Sequence, residues 1–350
     1  FGNDANHFVK GNGVTLNSAT SAIGSLTERL NVAITGTNPL SVTAGNAFIN
    51  ILNTPYLSLG AITVDQDFDV TSLGSVDIDD DLSATNVTFD VNGNVVATAP
   101  LALTGTGLLD VSASDIDLSL AVIDFGSSSL TAQSGNIDLA KVTINTSSFG
   151  LWSTGAINLL DDILVNGTDF VADGQSITMT SGTQLQTVGN ATFTALDAIS
   201  LETLNIGGDL DVTAQNLSDR TQGSVGFNAS VDTQAMKVLS ANGMTLSADI
   251  NAVSIDLDAG TALVADNAIT VDALGALTAN AESIDLSKAT TTAGSGLMDA
   301  SNGALTLGTT TINTSTLGLS SFGAMSLVGD ILVNGTDFVA DGQSITMTSG

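Results

Sequence analysis

Histidine and cysteine are the side chains that most often serve as catalytic bases, nucleophiles and transition-metal ligands, and this chain of 350 residues is nearly without them. It has no cysteine, and His7 is its single histidine. Histidine-activated serine or cysteine nucleophiles, and zinc sites built from histidine or cysteine, are therefore excluded by inventory. Paired carboxylates remain, and such pairs can cleave glycosidic bonds. Carboxylates also serve in polysaccharide lyases, but those enzymes need basic residues as well, to take a proton or to neutralise the uronate.

Basic residues are few and scattered along the chain. They are Lys10, Arg29, Lys141, Arg220, Lys237 and Lys288. We therefore expect a protein that is not an enzyme, and we assign no catalytic, cofactor-binding or metal-ligating residue.

Aspartates recur at alternate positions in two short stretches. The stretches are Asp65, Asp67 and Asp69, and then Asp77, Asp79 and Asp81. Alternate residues of a strand share a face, so each stretch predicts three carboxylates side by side, which solvent or a hard cation such as calcium would have to screen. An internal repeat at an offset of 168 provides a control, because the corresponding positions of its second copy hold Thr233, Ala235, Lys237, Thr245, Ser247 and Asp249. A solvated acidic face is the default interpretation, and a calcium site is the open alternative.

The charge of the chain restricts its partners. It carries 36 acidic and 6 basic side chains, for a formal net charge of −30. Nucleic acids and anionic membrane surfaces would repel it. No apolar run approaches the roughly 18 residues that span a bilayer, and a mean hydropathy of +0.35 is too apolar for disorder. We expect a folded segment that neither inserts into a membrane nor binds nucleic acid.

The internal repeat organises the sequence. Residues 162–182 read DILVNGTDFVADGQSITMTSG, and residues 330–350 repeat them letter for letter. Fainter matches at the same offset of 168 predict a first copy over 7–168, a second copy over 169–336 and the opening of a third over 337–350. Residues 1–55 are less regular, and 217–237 lack clean alternation and are interpreted as a longer loop. We expect the natural protein to continue past Gly350.

A shorter period lies inside each copy. The pattern Gly-x-apolar-x-apolar begins at Gly135, Gly155 and Gly174, and again at Gly303, Gly323 and Gly342. Between these glycines, apolar residues alternate in short bursts that are separated by Gly, Asn, Asp and Ser, as expected for short strands and turns. Several short strands in about every 19–20 residues predict an all-β, parallel β-solenoid with about eight coils per copy. Immunoglobulin-like sandwiches and two antiparallel barrels are the alternatives, and a repeat of this length suits sandwiches poorly.

These cysteine-free coils, rich in Asn, Ser, Thr and Asp, resemble the shafts of filamentous-haemagglutinin-type exoproteins and autotransporter passengers. The resemblance covers residues 56–350 and is architectural. It implies a right-handed β-helix at the bacterial cell surface that serves in attachment, biofilm or filament formation.

Two functions follow from this resemblance and from the repeat. In the first, the chain is the structural shaft of an extracellular fibre or filament that self-associates. In the second, it is an adhesin that binds a host surface, a glycan or a biofilm matrix through 1–55 or 217–237. Trp152 and Tyr56 are the single residues of their types, and Ser320 replaces Trp152 in the second copy. The lack of an aromatic cluster favours the shaft.

Overall fold

The computed structural model describes residues 8–52, 56–215 and 222–348. Within those ranges the secondary structure is entirely β, with no helix. The chain divides into two units, Phe1–Gly174 and Gln175–Gly350. Together they comprise about 16 turns of a parallel β-solenoid. The predicted fold class is therefore confirmed, and sandwiches and antiparallel barrels are excluded because every strand pair of known register is parallel.

The strands of the first unit are short and follow one another at close intervals. They are β1 Val9–Gly11, β2 Val14–Ile23, β3 Leu30–Ile34, β4 Leu40–Ile51, β5 Tyr56–Val64, β6 Asp67–Ser72, β7 Ser75–Ile78, β8 Leu82–Ser83, β9 Asn86–Val91, β10 Val95–Ala97, β11 Leu101–Thr104, β12 Leu108–Ala113, β13 Ile116–Leu118, β14 Ala121–Phe125, β15 Ser127–Ala132, β16 Ile137–Leu139, β17 Val142–Ile144, β18 Phe149–Ser153, β19 Ala156–Leu159, β20 Ile163–Val165 and β21 Asp169–Gly174.

The second unit also contains longer strands that continue around a corner of the coil. Its strands are β22 Ser176–Met179, β23 Gln184–Thr187, β24 Asn190–Ala195, β25 Ala198–Leu201, β26 Thr203–Ile206, β27 Leu210–Ala214, β28 Ser224–Phe227, β29 Val231–Ser240, β30 Met244–Leu246, β31 Ile250–Ala259, β32 Ala262–Ala265, β33 Ile269–Ala281, β34 Ser283–Leu286, β35 Ala289–Ala300, β36 Leu305–Leu307, β37 Thr310–Ile312, β38 Leu317–Leu327, β39 Ile331–Val333 and β40 Phe338–Met347.

Three parallel sheets form the wall of the first unit. Sheet I stacks β7, β10, β13, β16 and β19. Sheet II stacks β8, β11, β14, β17 and β20. Sheet III stacks β6, β9, β12, β15, β18 and β21. Each coil passes once through sheets I, II and III, so each strand pairs with the strands one coil before and one coil after it.

The core of the first unit consists of ladders of identical or similar side chains. On sheet I, Ile116 pairs with Ile137 and Ile137 with Ile157, and all three are fully buried. On sheet III, Phe149 pairs with Phe170, and their rings meet edge to face with centroids 5.6 Å apart. A single coil has only one layer of these side chains, so stacking is what removes them from water.

The coil length is slightly longer than predicted. Successive register partners on sheet III of the first unit are Phe68, Val87, Leu109, Ser128, Phe149 and Phe170, so the numbering rises by 19, 22, 19, 21 and 21. The glycine pattern marks mainly the corner that leads into sheet I. The other corners vary in length, so the spacing of these glycines does not give the full length of every coil. The fixed features are the buried registers, because an extra residue in a strand would turn every following side chain to the other face.

The second unit also stacks its strands in three sheets, named I, II and III by the same scheme, and one of its described coils is longer. On sheet III, Leu210 pairs with Met236, a rise of 26 in the numbering, and Met236 pairs with Ile255, a rise of 19. The predicted loop over 217–237 was too long, because β28 and β29 already alternate between buried and exposed residues within it. The extra residues lie between Gln215 and Gly223, and 216–221 lie outside the described residues.

The start of the described chain contains a bulge and a glycine-led turn. Strand β2 pairs with β4, and a bulge lies between Ser18 and Ala22. The turn between β2 and β3 begins at Gly24, whose φ of 72° favours glycine. From this turn, Arg29 makes a two-pronged ion pair with Asp69 on sheet III, with N–O distances of 2.8 and 2.7 Å.

The last described coil shows what stacking contributes. Its residues repeat those of β22, where Ile177 is 0% exposed beneath Ile199 of the next coil. Ile345, the counterpart of Ile177, is 47% exposed. Met179 and Met347 differ in the same way, with 2% and 69% exposed. The sequence of these residues is identical, so burial depends on the coil that covers them.

Candidate functional site

The aspartates predicted to share a strand face are separated by corners of the coil. Asp65 lies in the bend before β6 and is exposed, whereas Asp67 and Asp69 belong to that strand. Asp67 accepts a hydrogen bond of 2.8 Å from the Nδ2 of Asn86 in the next coil, and Asp69 is neutralised by Arg29. The predicted row of three carboxylates was therefore wrong, because the chain turns between the first and the second.

The second group of aspartates is divided in the same way. Asp77 is in β7, whereas Asp79 and Asp81 follow its end at a corner. Asp79 accepts hydrogen bonds from the hydroxyls of Ser58 and Thr98 in the coils on either side. Burial raises the pKa of Asp77, and the negative charge of Asp79 raises it further. The contacts of Asp79 are hydrogen bonds between coils.

Clusters of metal-ligating side chains are absent from the described ranges. These ranges contain no group of three or more His, Cys, Asp or Glu side chains that could hold a metal ion. His7 lies outside the described residues, as does Arg220. Of the remaining basic residues, Arg29 is bound to Asp69, and the Nζ of Lys288 donates to the backbone oxygen of Asp266 at 2.6 Å.

Asparagine side chains stack in a hydrogen-bonded ladder at one corner of the coil, and this ladder explains why the asparagine motif recurs in both copies. The Nδ2 of Asn166 donates to the Oδ1 of Asn145 at 3.3 Å. At the offset of 168, Asn334 donates to Asn313 at 3.5 Å. Stacked amides satisfy one another where the strands of sheet II end, so the repeated TINTS and VNGTDF sequences have a structural role.

A polar groove of about 600 Å³ follows the corner between sheets II and III of the first unit. It runs along successive coils and is lined by hydroxyl, carboxylate and amide groups, including those of Thr85, Thr106, Asp124 and Asn145. Several of these groups are already engaged, since Thr85 donates to the Asp65 carbonyl at 2.8 Å and Asn145 to Asp124 at 2.5 Å. The groove is therefore part of the corner structure.

The outer face of sheet III carries a more distinctive feature. Trp152 lies between Thr131 of the preceding coil and Asp173 of the following coil, at the same register position. The three residues line a pocket of about 210 Å³. The indole is folded back along its own strand over Gly150, where a Cβ would overlap the ring. It is 40% exposed, so part of the ring remains open to solvent.

The second unit contains the equivalent pocket. Asp299, Ser320 and Asp341 occupy the same register position there, and each stands at the offset of 168 from its counterpart. They line a pocket of about 530 Å³ that also includes Phe322, whose side chain is 65% exposed. We call the two sites the first-repeat pocket, at Trp152 and Asp173, and the second-repeat pocket, at Phe322 and Asp341.

Sequence reasoning missed these pockets although the signal was present. The replacement of Trp152 by Ser320 suggests that the aromatic is dispensable. However, Phe322 replaces Thr154 next to it, so each copy has one exposed aromatic at the same corner of the coil. Comparison of single positions at the fixed offset could not reveal this exchange, because two positions change together. Tyr56, the other exposed aromatic singled out, lies in β5 and belongs to neither pocket.

These features define a parallel β-solenoid repeat protein. No protein-family model matches the chain, and neither a curated protein nor a solved structure is significantly similar to it. None of the described elements is a helix of sufficient length and hydropathy to cross a membrane.

Proposed function

We propose that this chain is the structural shaft of an extracellular fibre, of the kind built by filamentous-haemagglutinin-type exoproteins. The observation that supports this proposal is the way in which the two copies differ. Most residues that point into the solenoid remain apolar at the offset of 168, whereas many residues that point outward change. A shaft needs a continuous core and tolerates a variable surface.

Inward positions keep their character on sheet III. The pairs, first copy and then second, are Phe68 and Met236, Val70 and Val238, Val87 and Ile255, Phe89 and Leu257, Leu109 and Leu277, and Phe149 and Leu317. All of these side chains are buried. Volume varies within four of the six pairs, but no polar group enters the core at these positions.

Two inward positions of sheet II replace an alkyl branch by a hydroxyl, an ethyl group of isoleucine in one case and a methyl group of valine in the other. Ile123 and Val142 of the first copy correspond to Thr291 and Thr310 of the second, which are buried and lie in register with each other. Threonine keeps the branched shape that suits a strand, and the hydroxyl of Thr310 donates to the backbone oxygen of Gly308 at 3.4 Å. The shape of the core is therefore retained even where its polarity changes.

Several outward positions of the same strands change their character. Asp69 corresponds to Lys237, which reverses the charge, and Ser129 corresponds to the exposed Leu297. The charge of Asp69 is balanced by Arg29, whereas Lys237 stands in register between Asp211 and Asp256. The charges on this outer face are therefore balanced by different residues in the two copies.

One pair of neighbouring positions changes together. A Cβ on Gly105 would overlap both the backbone oxygen of Ala84 and the ring of Phe125, so glycine fits beside the phenylalanine in this copy. In the second copy both positions are alanine, as Ala273 and Ala293, and both are buried. The compensating exchange of volume indicates that core packing is maintained in each copy.

Self-association and a location outside the cell complete the proposed function. The exoproteins that the chain resembles serve in filament formation, and β-proteins pair with one another through unpaired strand edges. The acidic surface favours solubility and disfavours nucleic acid and anionic membranes. We therefore propose a self-associating protein outside the cell, with no metal or cofactor required for its core.

Inserting an additional copy of residues 169–336 directly after residue 336 tests the shaft function. The insert adds about eight coils, so the maximum dimension should increase by about 40 Å at a rise of about 4.8 Å per coil. Small-angle X-ray scattering measures this dimension, and the cross-sectional radius should remain constant. Growth in the cross-section instead, as for a globular particle, would contradict the proposal.

A second candidate function, an adhesin that binds glycans, is favoured by a different observation. Large aromatic side chains are exposed at equivalent corners in both units, at Trp152 and Phe322. The irregular segments that first suggested adhesion do not contain these residues.

A further inference from the structure

Two properties distinguish the first-repeat and second-repeat pockets from the rest of the surface. Both pockets contain an exposed aromatic side chain, and both contain a carboxylate at the same register position, Asp173 or Asp341. The two aspartates belong to the stretch that the copies share letter for letter, so their identity alone says little. What sets them apart is the exposed aromatic side chain in the same pocket.

Packing does not explain these carboxylates. Both Asp173 and Asp341 are exposed. Across residues 8–52, 56–215 and 222–348, no hydrogen bond or ion pair joins either carboxylate to another residue. By contrast, Asp69 and Asp79 on the first unit are fixed by neighbouring side chains. Asp173 thus has free acceptor oxygens, whereas Asp341 lies on β40, the last described strand, and its exposure reflects that position.

Packing of the core does not account for the two exposed aromatic side chains either. Trp152 and Phe322 arise from different positions of the coil, yet each reaches the pocket of its own unit. With 40% and 65% of their surface exposed, these side chains gain only part of the free energy that full burial would provide. Gly150 lets the indole lie flat along the strand, because any larger residue there would displace it.

We propose that both pockets bind a hexopyranose unit of a neutral glycan, with the aromatic ring against the C–H face of the sugar and the aspartate accepting its hydroxyl hydrogens. An aromatic face offers dispersion and apolar contact to the axial C–H groups. A carboxylate accepts two hydrogen bonds at once, and those to charged acceptors are stronger than neutral ones. The hydroxyl and amide groups of Thr131, Thr154 and Gln133 complete the polar rim of the first-repeat pocket.

The charge of the chain and the number of aromatic rings disfavour the other ligands that an aromatic ring and a carboxylate could bind. A net charge of −30 repels uronates, sulfated sugars and other anionic glycans. Quaternary ammonium groups are bound in cages of several aromatic rings, whereas each pocket has one aromatic residue. The inference goes beyond the shaft function, which would stand without it, and gives the second candidate function a ligand class and a site.

Trp152 provides its own reporter, since it is the only tryptophan in the sequence. Acrylamide quenching of its fluorescence is measured in the full chain with and without cellotetraose, maltotetraose, mannotetraose and chitotetraose. A sugar stacked on the open ring face should lower the quenching constant about twofold or more with at least one of these probes. Choline chloride serves as the cationic comparison.

The repeat provides matched variants, because each copy shows which residue the coil accepts at the corresponding position of the other copy. Trp152→Ser introduces the residue that the second copy has at this position, and Phe322→Thr introduces the residue of the first copy, so both are compatible with a coil. Isothermal titration calorimetry with the responding probe should give two sites in the wild type, one in Trp152→Ser and none in the double variant. Adding Phe322→Trp to Trp152→Ser moves the single reporter to the second-repeat pocket, where the same probe should protect it.

Asp173→Asn tests the carboxylate and should weaken binding at the first-repeat pocket about tenfold, as expected for the loss of a charge-assisted hydrogen bond. Far-ultraviolet circular dichroism confirms that each variant is folded. Three results would overturn the proposal: no protection by any of the four saccharides, protection by choline alone, or unchanged saccharide affinity in Asp173→Asn. None of them would bear on the length measurement that tests the shaft.

Discussion

Ile137→Asp is expected to unfold the coils around β16. Ile137 is fully buried on sheet I between Ile116 and Ile157, so the new carboxylate would have neither water nor a basic partner. Burying an unpaired charge costs several kcal/mol at least, and the coils on both sides lose a stacking partner. The expected result is a loss of amide protection over β13, β16 and β19, measured by hydrogen exchange with mass spectrometry.

The controls for this prediction lie at the same site and at its outward neighbour. Ile137→Leu introduces the residue of the second copy, the fully buried Leu305, and should leave protection within a few-fold of wild type. Asp138→Thr changes the outward neighbour to match Thr306 and alters the hydrogen bond that Asp138 accepts from the Nδ2 of Asn158 at 2.5 Å, so it should cost about 1–2 kcal/mol, well below Ile137→Asp. If Ile137→Asp retained protection in β16, the assignment of this side chain to the core would be wrong.

Phe149→Ala is expected to produce the second-largest loss. Phe149 is fully buried and contacts Phe170 edge to face, with ring centroids 5.6 Å apart. Removing a buried phenylalanine ring costs about 3–5 kcal/mol, because the cavity collapses only in part. Exchange of the amides in β18 and its neighbours should accelerate by about two to three orders of magnitude, given about 1.4 kcal/mol for each factor of ten.

Phe149→Leu is the matched control because the second copy has Leu317 at this position, also fully buried. It should cost less than about half as much as the alanine variant, since a leucine fills most of the same space. Equal losses in the two variants would show that the aromatic contact, and not the filled volume, holds these coils together. Local exchange is the suitable readout because repeat proteins need not unfold in one step.

The sequence was sufficient to predict the fold because each strand alternates clearly. In β16 and β22, for example, buried residues occupy every second position, and glycines mark the corners before sheet I. The coil length was underestimated because these glycines mark only one of the three corners. The loop over 217–237 was overestimated because polar residues such as Asp232 and Gln234 obscure the alternation of β29.

The candidate pockets required the structure because they depend on register between coils. Alternation predicts that Trp152 points outward, but not that Asp173 and Thr131 lie beside it. The same limit applies to the aspartates of 65–69, which alternate in the sequence yet are divided by a corner. Corners shift the phase of alternation, and their positions are set by packing of the coil as a whole.

Immunogold electron microscopy of the native producing cells, with antibodies raised against this chain, tests the central claim most directly. A shaft of an extracellular fibre predicts label along thin filaments that project from the cell surface, with the spacing of label along a filament set by the long repeat. Label confined to the cell interior, or on isolated globular particles, would contradict the account.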